Sequence, residues 1–130
     1  MSKNYVGRAT EVELGGKVRK LRFDFNGVAD LEDHYGKPIG RIMSEESMGF
    51  STIRAMYWAG LKWNDQGITV QRVGTMLMKK LEQGTELEDL AQTVMKALLQ
   101  SGVLGNKARE TAEELEEEEA LMAEEEETKN

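Results

Sequence analysis

His34 is the only imidazole in the chain, and Asp30 and Asp33 lie within one helical turn of it. A histidine oriented by a carboxylate can act as a general base, but it then needs a nucleophile or a held water within reach. Ser44, Ser47 and Ser51 are not set in a nucleophile elbow or any other activating pattern, and they read as turn and cap residues. There is no cysteine, which removes thiolate chemistry and disulfides together. With one histidine, a zinc site would have to be built from carboxylates, an unusual ligand set. The glutamate runs near the C-terminus lack the alternating Asp/Asn positions and central glycine of a calcium loop, and no phosphate-cradling GxxxxGK[ST] occurs. The pairs Asp30/Asp33 and Glu45/Glu46 read as solvated surface. The residues therefore predict no catalytic, metal or cofactor site, and a binding protein in place of an enzyme.

Binding surfaces draw on other residue types. The chain has eight methionines, whose unbranched, polarisable side chains adapt to varied apolar partners. Met76 and Met78 flank Leu77 on different sides of one helical pattern, so a single inward face cannot bury both. Trp63 stands just after a helical segment and before an Asn64-Asp65 turn, where a large aromatic either closes a core or anchors a partner. Trp63, Met76 and Met78 are the candidate partner-binding residues.

The elements that carry these residues follow from periodicity. Apolar and polar residues alternate over 5–14 and again over 17–25, the period of a strand. Gly15-Gly16 between them suits a tight turn, which predicts a β-hairpin whose apolar face must rest on helices. Asn26 is placed to cap a short helix through about Tyr35, closed by Gly36 and Pro38. Residues 37–46 read as a loop or a single turn. Phe50, Ile53, Met56, Tyr57, Gly60 and Leu61 recur at helical spacing within 47–63. Thr69 caps the next helix, with Val70, Val73, Leu77 and Leu81 inward. Thr85 and Glu88 have the spacing of a capping box ahead of the stripe Leu87, Leu90, Ala91, Val94 and Leu98. The short Gly84-Thr85 join predicts that these last two helices pack as an antiparallel pair. The fold class is α+β: an N-terminal β-hairpin packed on about four helices.

Charge divides the chain. Its net charge is −7, but eleven of the 24 acids and only three of the 17 bases lie beyond residue 105. Residues 1–105 are then nearly neutral and read as one folded domain, and 106–130 as an acidic tail, solvated or partly helical because Leu115 and Met122 share one side. No basic patch of the kind that tracks phosphates is evident, so nucleic acid is not an expected partner. No apolar run approaches the roughly 20 residues of a membrane span, and no signal-peptide core opens the sequence. The expected location is the cytoplasm.

The series Leu21-Arg22-Phe23-Asp24-Phe25-Asn26, Leu31-Glu32, Gly36, Arg54-Ala55-Met56-Tyr57-Trp58-Ala59-Gly60-Leu61, Thr69 and Val73-Gly74 resembles the tail assembly chaperones of long-tailed phages. The likeness is to the branch found in gene transfer agents and related prophages, and it spans about residues 8 to 82. It implies a protein that binds the tape measure protein, and as a second client the tail tube subunit. Such a protein keeps its clients soluble before assembly and is absent from the mature particle. It implies no cofactor, metal or catalysis, and it supplies no client site residue by residue. Homo-oligomers are compatible with it, although no heptad repeat specifies one. Two other readings remain open here: a structural tail or connector subunit of the virion, and an acidic regulator that mimics DNA.

Overall fold

A computed structural model describes residues 8–105, 114 and 117–125. Strand β1 (Ala9–Leu14) pairs antiparallel with β2 (Lys17–Arg22), with Leu14 opposite Lys17 and Ala9 opposite Arg22. The turn is Gly15-Gly16, both with positive φ (63° and 80°), the backbone that lets two residues reverse a twisted ribbon. Helices α1 (Phe25–Tyr35), α2 (Ile39–Glu45), α3 (Phe50–Leu61), α4 (Val70–Glu82) and α5 (Leu87–Gln100) follow. A sixth helix runs over 117–125 in the acidic tail. The fold is thus α+β and dominated by helix, as expected. The remainder of 106–130, including Leu115, lies outside the described residues, as do residues 5–7 of the expected first strand. No helix among the described residues is long and apolar enough to cross a membrane.

Several boundaries differ from the sequence expectation, each for a local reason. The second strand stops at Arg22, short of Phe25. Asp24 takes the N-cap of α1, its carboxylate accepting from Gly27 N at 2.8 Å, in place of Asn26. Phe25 thereby becomes the first helical residue and is exposed. The segment expected to be loop forms α2. Its N-terminus has no cap of its own, but Glu32 on α1 reaches over and accepts from Ile39 N at 2.6 Å. At its other end Glu45 accepts from Arg41 and pairs with Lys37. Helix α3 starts at Phe50, after Gly49, and not at Ser47. The Thr85/Glu88 capping box does not form: Glu86 is the N-cap of α5 and makes no side-chain cap bond. Thr69 does cap α4, accepting from Arg72 N at 3.1 Å.

Helix α3 is the hub. It packs against α1, α4, α5 and β2, and Thr52, Ile53, Ala55, Met56, Tyr57, Ala59, Gly60 and Leu61 are all buried. Its small residues allow close approach. An added Cβ on Gly60 would stand 3.0 Å from Leu21 and Phe23, so the hairpin lies directly on this glycine. An added Cβ on Gly27 of α1 would stand 2.8 Å from the Ala59 carbonyl oxygen. Tyr57 crosses to α5, donating its hydroxyl to Leu90 O at 2.9 Å, and burial pushes that hydroxyl well above its ordinary pKa. Trp58 Nε1 donates to Ile68 O at 3.1 Å, which ties down the loop before α4.

The expected α4–α5 pair is a correction. The two helices make few contacts with each other, and each packs instead on α3. A helix apolar on most of its circumference offers each of them more surface than either offers the other. The short Gly84 join remains, but the helices splay from it.

Candidate functional site

That splay leaves an apolar groove of about 610 Å³. Its walls are the first turns of α3 (Phe50, Ser51, Ile53, Arg54), one face of α4 (Gln71, Gly74, Thr75, Leu77, Met78, Leu81) and the start of α5 (Leu87, Leu90). On α4 the lining positions recur at three- and four-residue steps from Gln71 to Leu81, a stripe of about 15 Å at a rise of ~1.5 Å per residue. That length accommodates about three turns of a docked helix. Phe50 and Met78 stand on the rim, 69% and 54% exposed. They are large apolar side chains held in water beside an open cleft.

Gly74 shapes the floor. An added Cβ there would lie 3.1 Å from Arg54 Cδ, so the absence of a side chain on α4 lets the Arg54 stem lie across it. Arg54 is half-buried at the groove wall, and its guanidinium has no hydrogen bond or ion pair among the described residues. A cation partly withdrawn from water without a counter-charge favours an anionic group on whatever enters the groove.

Of the three residues expected to bind a partner, the structure brings one to this groove. Met78 is on its rim. Met76 is 5% exposed and turned the other way, with its sulfur against Gly15 in the hairpin turn, so it belongs to the core. The two methionines do face differently, and the hairpin decides which is covered. Trp63 is half-buried on another side of the molecule. Its Nε1 donates to Lys20 O at 2.8 Å and the Arg22 guanidinium lies 5.5 Å from its ring, so it clasps the outer side of β2. Phe50 was read only as part of the apolar pattern of its helix, and Arg54 and Gly74 only within the resembling motifs; none of the three was expected at a binding site. An aromatic at the first helical position and a glycine within a helical pattern were the available signals.

His34 is exposed near the end of α1 and packs edge-on against Tyr35, with ring centroids 5.1 Å apart. Asp30 pairs with Lys62 at 2.9 Å and not with the histidine. Among the described residues no group of three or more His, Cys, Asp or Glu side chains is placed to hold a metal ion. Comparison of the chain with protein-family models, curated proteins and solved structures found no match.

Proposed function

We propose that this protein is a tail assembly chaperone of a long-tailed phage or prophage-like particle, and that the α3–α4–α5 groove is where it holds helical segments of the tape measure protein. The observation that carries the reading is the open apolar groove with Phe50 and Met78 exposed on its rim. Helix-in-groove recognition needs a trough a few turns long, lined by apolar side chains at helical spacing, and this one has that form. A methionine at the rim suits a client that presents many different turns in succession. The sequence resemblance supplies the identity of the client, and the tail tube subunit is its second candidate. The cytoplasm of the host is the compartment this role requires.

The test is co-expression with a tape measure protein encoded beside this chain. The expected result is a soluble complex that co-purifies with the unmodified protein and is lost with M78E, whose fold is unaffected because Met78 is exposed. A client that aggregates equally with and without the protein would refute the reading. Recovery of the protein in finished particles would favour a structural subunit instead.

A further inference from the structure

The described part of the acidic tail presents a second uncovered apolar feature. Residues 117–125 are helical, and Leu121 and Met122 on that helix are 61% and 66% exposed. A short helix is marginal in water by itself, and exposed apolar side chains on it gain from being covered. Glu119 pairs with Lys96 on α5 at 3.1 Å and so sets the helix against the molecule by one of its acids. The apolar pair is left facing outward.

The groove and the tail helix complement each other. The groove offers exposed Phe50 and Met78 and the half-buried Arg54, which has no partner among the described residues. The tail helix offers Leu121 and Met122 and, one turn earlier, Glu117 and Glu118, so an acid precedes the apolar pair by three or four residues. Both features border α5, the groove at Leu87 and Leu90 and the tail helix at Lys96. One helix thus carries an edge of the groove and, on another of its faces, the contact to the tail helix. A molecule that carries both a trough and a helix to fill it can exchange them with a second copy, and a reciprocal exchange closes the pair.

We infer that the groove of one molecule receives the tail helix of a second copy, Leu121 and Met122 entering beside Met78 and an acid of 117–118 meeting Arg54, with the exchange reciprocated across a two-fold axis. This rests on the groove being a helix-binding surface, as proposed above, and makes the second copy its occupant in the absence of client. A client helix then competes with the tail, so the free protein is a dimer that opens on loading. Fold-back of the tail into its own groove is the alternative source of the same helix. The Lys96–Glu119 pair places the tail helix beside α5 with Leu121 and Met122 exposed, outside its own groove.

The native chain has no cysteine, so introduced thiols report position without background. M78C and M122C are made separately in the full chain, mixed in equal amounts without client, and oxidised. The expected product is a covalent dimer formed far more in the mixture than by either variant alone, lost when R54E is added to the M78C chain and recovered when the M122C chain also carries E117K and E118K. Circular dichroism of each variant checks that the fold is kept. No excess of dimer in the mixture would overturn the inference. So would a disulfide within one chain in the M78C/M122C double variant at the expense of dimer, which would assign the tail to its own groove. Because no client is present, failure here leaves the chaperone reading standing. A dimer that forms, in a protein that holds no client, would fail that reading alone.

Discussion

Replacing Gly27 with Ala separates helix propensity from packing. An alanine in a helix interior is favoured over glycine by about 1 kcal/mol when nothing else changes. At Gly27 the new methyl would meet the Ala59 carbonyl oxygen at 2.8 Å, and the Asp24 carboxylate, which caps the same helix, at 3.3 Å. Ordinary contact begins at 3.4 Å, so α1 must back away from α3 by about 0.6 Å. The obstacle is backbone and cannot rotate aside. Overpacking of this kind costs about 1–3 kcal/mol, and loosening the Asp24 cap adds about 1 kcal/mol. After the propensity gain, G27A is expected to destabilise the domain by about 1–3 kcal/mol, a fall in Tm of about 4–20 °C at this size. Gly40 in α2 is the control, because an added Cβ there meets nothing within 4 Å. G40A should raise Tm by a few degrees, about 0.5 kcal/mol or more, through propensity alone. Thermal unfolding followed by circular dichroism reads both. Shifts of the same sign, or a neutral G27A, would refute the close α1–α3 crossing.

Three further outcomes follow from named contacts. M76A should cost about 2–5 kcal/mol in denaturant unfolding because its side chain fills the space under the hairpin turn, whereas M78A should leave stability nearly unchanged and weaken client retention. W63F removes the bond to Lys20 O while keeping an aromatic, so it should lower stability by about 1 kcal/mol and leave client retention per folded molecule intact; lost retention with full stability would move the binding surface to Trp63. The raised pKa of Tyr57 means the folded state keeps its proton where the unfolded chain, at its ordinary 10.0, gives it up. That contribution is complete below pH 10 and falls as pH rises beyond it, so denaturant midpoints should drop above pH 10, and less so in Y57F, which itself loses about 1 kcal/mol at neutral pH with the hydrogen bond to Leu90 O.

What could be read from the sequence was what neighbouring residues decide among themselves. The Gly15-Gly16 turn, the Thr69 cap and the closure of α1 at Gly36 depend on a few consecutive residues, and all three are in place. The opposed faces of Met76 and Met78 were legible too, since helical spacing alone separates them. Which of the two is covered was not, because the answer comes from Gly15, far earlier in the chain. Helix α2 depends on Glu32 reaching Ile39 from another helix, which periodicity does not encode. Asn26 and Asp24 are both good caps, and the choice fell to the one whose carboxylate can reach Gly27 N. The groove was hidden for a larger reason. A two-residue join suggested that α4 and α5 pair, but α3 competes for both, and the residues lining the resulting gap belong to three segments that share no local signal.

The central position of α3 also sets a timetable for the growing chain. The polypeptide leaves the ribosome from its N-terminus, so the hairpin and α1 exist before α3 and can cover one side of it at once. Its other side waits for α4 and α5, and the Tyr57 hydroxyl finds its acceptor 33 residues later. Until about residue 98 has emerged, each nascent chain carries a helix with half of its greasy circumference uncovered. On a crowded polysome, several such helices stand close together. Slow codons or a stall between Leu61 and Leu98 should therefore be unusually damaging to yield, and a pause placed after Leu98 should be harmless.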